Sequence, residues 1–261
     1  MKYTECVTFE SYRDFKGYVI NLDREQHKYL NARKNLTKLG FSNIARWSAT
    51  DYRQEDVDVE LKNMGEVKLD KFVNNAEKAL AISHYKIWTN FLASDEKYCL
   101  IFEDDVIGSE NFKNYADFTD ISYGDFDLLF FGGVFLSCLD HKNKKICTSL
   151  KEAKELQKNK SCIANPVFWQ AHAYLISRKG AYKAVLGYPE WLSSKKKQMA
   201  AIDIYLANHE GLDILLSANQ DIPNIGKYSL ADHWYADYGA ISERICGILL
   251  QEKHESRVQN I

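Results

Sequence analysis

The sequence has few prolines, no closely paired cysteines and no long apolar run. With only three prolines in 261 residues and no low-complexity tract, nothing marks a linker, and we predict one domain over residues 1–261. The six cysteines include no Cys-x-x-Cys pair, which argues against a zinc site or a disulfide framework. No apolar run approaches the roughly 20 residues of a transmembrane helix, and the first residues form no apolar signal segment, so we expect a cytoplasmic protein without a transmembrane segment.

The chain also lacks a strong overall charge. Its formal net charge of -2 provides no basic field, which argues against nucleic acid as the main partner. One local basic run, Lys195-Lys196-Lys197, lies near Tyr188 and Trp191, two aromatic residues that we expect to be exposed. It is either a solvated surface loop or a peripheral contact with a membrane surface or an anionic acceptor.

Apolar patterning predicts that strands alternate with helices. Hydrophobic residues make up 46% of the sequence, enough for a sizeable core. We predict strands at 17–22, 41–49, 98–102, 126–131, 167–176 and 214–217, and helices at 29–40, 75–93, 111–118, 178–186 and 199–208. We expect irregular chain at 51–70, loops at 134–160 and no clear pattern after 221. The alternation indicates an α/β fold with helices on both faces of the sheet.

The most informative segment is an apolar strand that runs directly into three carboxylates, Glu103, Asp104 and Asp105. Residues just past the carboxyl end of a buried strand line the crevice in which α/β sheets bind ligands. Oxygen ligands suit magnesium or manganese, which bind through one or two carboxylates and complete their coordination with phosphates and water. The alternative is a solvated acidic turn that caps a following helix.

Two histidines have neighbours that leave their roles open. His84 falls on the apolar stripe of its predicted helix with Ile87 and Trp88, so it is either a phosphate contact or a core histidine with satisfied hydrogen bonds. In the predicted strand 167–176, alternation places Gln170, His172 and Tyr174 on one face, where His172 has either a site role or a structural hydrogen bond.

Five short segments occur in order along the chain: Val19-Ile20-Asn21-Leu22-Asp23-Arg24, Ala81-Ile82-Ser83-His84-Tyr85-Lys86-Ile87-Trp88, Leu100-Ile101-Phe102-Glu103-Asp104-Asp105-Val106, His172-Ala173-Tyr174-Leu175-Ile176-Ser177 and Ile202-Asp203. Their order resembles glycosyltransferase family 25, which includes bacterial lipooligosaccharide glycosyltransferases and collagen hydroxylysine galactosyltransferase domains. The resemblance spans residues 17–225. It departs from the family at 74–80, where members usually carry a Gly-Glu-Ile-Gly-Cys-like segment.

The resemblance implies a GT-A type, Rossmann-like α/β fold with a mostly parallel central sheet flanked by helices. It also implies an inverting transfer of a hexose, commonly galactose or glucose, from a UDP-sugar to a glycan, lipid-linked glycan or hydroxylysine acceptor. Residues 17–110 would form the nucleotide-sugar half and residues 161–225 the acceptor half, with 134–160 as a variable loop region. The cofactor would be a divalent metal, manganese in first place and magnesium as the alternative.

On this resemblance the site residues receive roles. Asp203 would be the catalytic base, and Asp105, Asp104 and His233 would bind the metal, with an exposed tail histidine as the alternative for His233. The nucleotide-sugar would be bound by Asn21, Asp23, Arg24, Ser83, His84, Lys86, Glu103 and Asp104. The acceptor would lie against Gln170, His172 and Tyr174. If strand geometry continued past the strand end, Glu103 and Asp105 would face one side and Asp104 the other.

Three other functions fit some of these residues. A non-catalytic relative could bind nucleotide-sugar or glycan, but it would not need the intact acids or Asp203. A metal-dependent phosphohydrolase would ordinarily need a nucleophile or a histidine-rich ligand set, which the sequence does not display. A nucleotidyltransferase would call for a glycine-rich phosphate loop, and none follows the first strand.

Overall fold

The computed structural model describes residues 13–108, 126–136, 167–169, 171–195, 199–209, 211–216, 243–247 and 249–251. Its helices and strands are, in chain order, β1 (Gly17–Asn21), α1 (Gln26–Lys38), β2 (Ile44–Ser48), α2 (Val57–Asn63), α3 (Asn75–Leu92), β3 (Tyr98–Glu103), β4 (Val106–Gly108), β5 (Leu128–Phe130), β6 (Gly132–Leu136), β7 (Val167–Trp169), β8 (Ala173–Ser177), α4 (Arg178–Ser193), α5 (Ile202–Asn208), β9 (Ile214–Leu216), β10 (Glu243–Gly247) and β11 (Leu249–Gln251).

Within the described ranges, the central sheet has six strands in the order β2-β1-β3-β8-β5-β9. Strand β1 pairs in parallel with β2 and β3, and β5 pairs in parallel with β9. Strand β8 pairs antiparallel with both β3 and β5, so it alone runs against the other five. The carboxyl ends of β1, β2 and β3 therefore share one edge of the sheet with the amino end of β8.

Alternate residues of the central strands enter two separate hydrophobic cores. Ile101 and Tyr174 pack with Trp88 of α3 and with α4 and α5 on one face, whereas Phe102 and Leu175 pack with α1 on the other. Both faces of the sheet are thus covered by helices. This arrangement confirms the predicted α/β class with a mostly parallel central sheet.

Two helix ends illustrate how local sequence sets the boundaries. Helix α3 begins where the Asn74 side chain accepts a hydrogen bond from the Glu77 amide at 2.9 Å, while Glu77 Oε2 accepts one from the Val73 amide at 2.7 Å. This is a near-reciprocal cap of a helix amino end. Helix α1 ends before Gly40, whose φ of +92° favours glycine.

The predicted strand 167–176 is not one strand. Residues 167–169 form β7, which pairs with β6 in a separate antiparallel sheet, whereas 173–177 form β8 in the central sheet. His172 and Tyr174 still share a face, but Gln170 lies outside the described residues. Periodicity missed the break because apolar residues continue on both sides of it.

Other segment predictions also change. The chain at 51–70 contains helix α2 and a short 3-10 turn at Leu69–Lys71, and Gly132 begins strand β6 instead of ending a strand. Beyond residue 221, β10 pairs with β6 and β11 pairs with β4. The helix predicted at 111–118 falls outside the described ranges.

The two aromatic residues of α4 near the basic run are less exposed than predicted. Tyr188 is fully buried and its hydroxyl donates to the Ala200 carbonyl at 2.8 Å, so the prediction of an exposed Tyr188 is wrong. Trp191 is half-buried, and its indole donates to the Met199 carbonyl at 3.0 Å. Lys195 is exposed, and Lys196 and Lys197 lie outside the described part of the chain. Among the helices that are described, none combines the length and the apolar character needed to cross a membrane.

Candidate active site

The edge of the sheet where β1 and β3 end gathers several of the predicted site residues. Asn21 is the last residue of β1, and the register pairs Ile20 with Glu103 at the end of β3. The buried Asn21 amide donates to Asp104 Oδ2 at 2.7 Å and to the Glu25 carbonyl at 3.0 Å. Asn21 thereby ties the turn after β1 to the acidic turn after β3.

Next to Asn21, Asp23 is held by two residues of β2. Both terminal nitrogens of Arg46 donate to Asp23 Oδ1 at 2.7 Å, and the Ser48 hydroxyl donates to the same oxygen at 2.8 Å. These hydrogen bonds lower the pKa of Asp23, first through Arg46 and then through Ser48. Asp23 is 65% exposed and keeps its second oxygen available for a ligand at the end of the strand. Arg24 forms an ion pair with Asp51 in the loop after β2.

The three consecutive acids have different surroundings. Strand β3 ends at Glu103, and Asp104 and Asp105 form the turn into β4, so strand geometry does not continue through Asp105 as the sequence prediction assumed. Glu103 lies on the α3 face, with Oε1 3.9 Å from His84 Nε2. Asp104 lies towards α1, where Lys28, Glu25 and His27 act on it electrostatically.

Burial dominates the electrostatics of these acids. It raises the pKa of Glu103 to about 8, with further contributions from the negative charges of Asp203 and Asp104. Burial likewise raises the pKa of Asp104, while the hydrogen bond from Asn21 opposes the shift. The site concentrates carboxyl groups whose ionisation a bound cation would favour.

Behind Glu103 lies a fully buried row of hydrogen-bonded side chains. His84 Nδ1 is 2.8 Å from the Tyr174 hydroxyl, the two rings are stacked, and the Trp88 indole donates to the same hydroxyl at 2.9 Å. All three side chains are 0% exposed. Burial lowers the pKa of His84 to about 3, although the Asp203 charge opposes the shift, so the imidazole is neutral at pH 7.

His172 and Asp203 complete this side of the site. Because β8 is antiparallel, its amino end meets the end of β3, and the Glu103 amide donates to the His172 carbonyl at 2.8 Å. Asp203, the second residue of α5, acts electrostatically on both Glu103 and His84. The structure therefore brings Glu103, His84, His172 and Asp203 together, although they are far apart in the sequence.

Two predicted nucleotide-binding residues have structural partners. The buried Ser83 hydroxyl donates to the Ala79 carbonyl and accepts from the Thr50 amide at 2.9 Å, which joins α3 to the loop after β2. Lys86 lies 3.1 Å from Glu60 and 3.4 Å from Glu55, on the side of α3 that faces α2. Their roles in nucleotide binding stay predictions.

The acids fit a metal that uses few protein ligands. Among the residues that the structure describes, no three His, Cys, Asp or Glu side chains are grouped to hold an ion, and His233 lies outside them. Magnesium and manganese bound to a diphosphate need only one or two carboxylates. Asp104 and Asp105, adjacent in one turn beside Glu103, meet that requirement.

Four residues near the site were not singled out from the sequence. Arg46 and Ser48 alternate as the polar positions of a predicted strand, a signal that could have found them. Asp51 pairs with Arg24. Glu77 is buried at the start of α3, and its raised pKa comes first from burial and last from the Asp203 charge. Only the tertiary structure shows that Glu77 and Asp203 are neighbours.

These features define a class: an α/β protein with a group of carboxylates at the carboxyl edge of a mostly parallel sheet. The chain matches the sequence profile described as "Glycosyltransferase family 25 (LPS biosynthesis protein)" over residues 15–205. It therefore belongs to glycosyltransferase family 25 and is a glycosyltransferase, as predicted. The mostly parallel sheet flanked by helices agrees with the predicted fold class. None of the curated proteins compared with it is significantly similar.

Three solved structures that align with this chain have low sequence identity to it. The galactosyltransferase LgtC, in complex with donor and acceptor sugar analogues, is 12% identical with a TM-score of 0.42, over 92% of this chain and 88% of that one. A glycosyltransferase involved in glycosylation of the major capsid of PBCV-1 is 7% identical with a TM-score of 0.40, over 78% and 80%. A nucleoside-diphosphate-sugar pyrophosphorylase from Vibrio cholerae is 14% identical with a TM-score of 0.37, over 80% and 75%. The family assignment rests on the match over residues 15–205.

Proposed function

We propose that this glycosyltransferase moves a hexose, galactose or glucose, from a UDP-sugar to a hydroxyl of a glycan, lipid-linked glycan or hydroxylysine acceptor, with inversion and with a divalent cation. One observation carries the proposal. Asp104 accepts a hydrogen bond from Asn21 of β1, and its neighbour Glu103 is under the electrostatic influence of Asp203 of α5, which supports a diphosphate site beside a carboxylate base.

The donor side would use the two strand ends. Asn21, Asp23 and Arg24 present an amide, a carboxylate and a guanidinium, which suit the uracil and ribose of UDP. Asp105 and Asp104 would hold the cation, and Glu103 would contact the ribose or a water of the cation. The cation, manganese in first place and magnesium as the alternative, supplies neutralisation of the charge that develops on the diphosphate leaving group.

The transfer step would use Asp203 as the base. The acceptor oxygen forms a bond to the anomeric carbon from the face opposite UDP, and the bond between that carbon and the phosphate oxygen breaks. Its electron pair leaves with UDP, and the hydroxyl proton passes to the Asp203 carboxylate. Gln170, His172 and Tyr174 stay predictions as acceptor contacts.

Donor binding is tested by thermal unfolding with UDP, with and without manganese, followed by turnover of a panel of UDP-sugars. UDP at about a hundred times its dissociation constant should stabilise the fold by about 2.7 kcal/mol. A melting curve that no nucleotide shifts in the presence of manganese would refute the proposed donor site.

Asp105→Asn should abolish metal-dependent turnover, because it removes a charged oxygen ligand of the cation. The measurement is the initial rate of UDP release against manganese concentration. The matched control is Asp95→Asn, an exposed aspartate that precedes β3 at the opposite edge of the sheet. Equal loss of activity in both variants would argue against a metal role for Asp105.

Asp203→Asn should stop transfer while preserving UDP binding, because an amide cannot accept the acceptor proton. The measurement combines the UDP-induced shift in melting temperature with the turnover rate. Asp213→Asn is the control, since Asp213 has a 64% exposed side chain and follows α5 in the chain. If the Asp203 variant lost UDP binding, Asp203 would belong to the donor site.

A further inference from the structure

The buried row behind Glu103 contains a hydrogen-bond pattern with a single consistent assignment. An indole nitrogen can only donate, so the Tyr174 oxygen accepts from Trp88 at 2.9 Å. The Tyr174 hydroxyl proton then needs an acceptor, and His84 Nδ1 lies 2.8 Å away. Tyr174 therefore donates to Nδ1, and the proton of the neutral imidazole lies on Nε2.

The opposite tautomer would be costly. If Nδ1 carried the proton, the Tyr174 oxygen would accept two hydrogen bonds and its own O–H would have no acceptor at a position that is 0% exposed. A buried donor without a partner costs its desolvation penalty, whereas the Nε2–H donor of the assigned tautomer has Glu103 Oε1 3.9 Å away as a neighbouring acceptor. The hydroxyl of Tyr174 thus determines which imidazole nitrogen carries the proton.

The Nε2 atom of His84 is directed at Glu103. It is buried, makes no hydrogen bond within the described part of the chain, and lies 3.9 Å from Glu103 Oε1. This separation is longer than a hydrogen bond, so a small displacement of the Glu103 side chain towards the ring would form one. The Glu103 side chain is 18% exposed, whereas the imidazole is 0% exposed.

We propose that Tyr174 is a positioning residue that fixes the Nε2–H tautomer of His84, so that His84 presents a fixed donor to Glu103 on the donor side of the site. In this role Tyr174 acts through His84, which is an alternative to the predicted direct contact between Tyr174 and the acceptor. The proposal rests on the proposed function in one respect, which is that Glu103 helps to bind the UDP-sugar. The tautomer itself is a property of the protein without substrate.

The first experiment measures the tautomer directly. In the free protein, ¹⁵N chemical shifts of His84 should show a protonated Nε2 and an unprotonated Nδ1. Tyr174→Phe should abolish that preference, because Nδ1 loses its donor. A protonated Nδ1 in the wild-type protein would overturn the proposal, whatever the activity of the enzyme.

A matched control separates this role from the loss of any buried hydroxyl. Tyr205→Phe also removes a buried phenol, but that hydroxyl donates to the Ala184 carbonyl at 3.1 Å. The His84 shifts should be unchanged in it. If Tyr174→Phe does not fold, the ¹⁵N shifts of the wild-type protein alone decide the assignment, since a protonated Nδ1 contradicts it.

Steady-state kinetics test the consequence for the site. Tyr174→Phe should raise the KM for the UDP-sugar by about tenfold, the effect of one hydrogen bond, and leave the acceptor KM unchanged. A raised acceptor KM with an unchanged donor KM would restore Tyr174 as an acceptor contact. If the wild-type protein transferred no sugar from any UDP-sugar yet showed a protonated Nε2, the proposed function would fail while the tautomer assignment held.

Discussion

Glu103 and Asp104 are neighbours in sequence, yet the sheet separates their environments. Glu103 lies with His84 and Asp203 on the α3 side, whereas Asp104 receives a hydrogen bond from Asn21 and lies near Lys28 on the α1 side. Successive side chains along a strand point to opposite faces of the sheet, and Asp104 directly follows Glu103, the last residue of β3, so the two carboxylates lie on different sides. At the scale of single residues, position along the strand decides which partner each acid has.

His84 should give acid sensitivity to the fold. Its pKa is about 3 in the folded protein, against an ordinary value of 6.5, so between these pH values the unfolded chain binds the extra proton. The free energy of unfolding should therefore fall as the pH decreases from about 6.5 towards 3, by about 1.4 kcal/mol per pH unit from this residue.

Denaturant unfolding of the wild-type protein and of His84→Gln between pH 7 and pH 4 measures this contribution. Glutamine does not titrate, so the difference between the two curves should shrink as the pH falls. Parallel curves would mean that His84 has an ordinary pKa in the folded protein.

At the scale of elements, helix α4 packs against β5 with almost no space between them. Gly180 lies in the first turn of α4, and a Cβ there would be 2.2 Å from the Asp127 carbonyl oxygen. The Ser177 side chain accepts from the Gly180 amide at 3.0 Å and so begins the helix at this place. This carbonyl, directly before β5, accepts a hydrogen bond from the Ser177 amide at 2.9 Å, so it cannot move aside as the end of a flexible side chain can.

Gly180→Ala should therefore destabilise the protein. In a helix interior, alanine is more favourable than glycine by about 1 kcal/mol. Overpacking costs about 1–3 kcal/mol or more, and the short contact between the new Cβ and the Asp127 carbonyl should place the cost at the upper end of that range. Thermal unfolding measures the balance. Tyr182→Ala on the same helix is the control, since Tyr182 is 60% exposed. A melting temperature that rose in Gly180→Ala would show that α4 can shift away from β5.

At the scale of the whole molecule, one edge of the central sheet holds the candidate active site and the opposite edge holds a cluster of ion pairs. The edge opposite the candidate active site contains Asp127, whose side chain is 0% exposed and forms ion pairs with Lys183 and, at 3.7 Å, with Lys179. Asp127 Oδ2 also accepts from the Asp213 amide at 2.9 Å. This cluster joins α4 to β5 and to the start of β9.

Lys183→Met should reduce stability without changing the KM for the UDP-sugar. Removing one partner of a buried ion pair costs about 3–5 kcal/mol, and the remaining Lys179 and the partial exposure of Lys183 should reduce this to about 2 kcal/mol. Denaturant unfolding and steady-state kinetics of the same preparation test both parts. A raised donor KM would mean that the two edges are coupled.

Local sequence was sufficient where a segment's own pattern dominates its conformation. The 18-residue helix α3 and the strands β1 and β3 were predicted almost to their ends, because each has a long apolar pattern with polar boundaries. The break between β7 and β8 was missed, since both halves are apolar and the difference lies in which strand each one pairs with. Pairing across the chain is not a property of either segment.

The candidate site divides in the same way. By itself, the sequence determined which residues are candidates for a diphosphate-bound cation and for a proton acceptor, because acids after a buried strand and an aspartate at a helix start have suitable oxygen atoms. Only the tertiary structure decided which of them meet. The antiparallel course of β8 brings His172 to Glu103, and the packing of α3 on the sheet encloses His84 beside them. Such contacts depend on strand order and desolvation, which arise only when distant segments pack together.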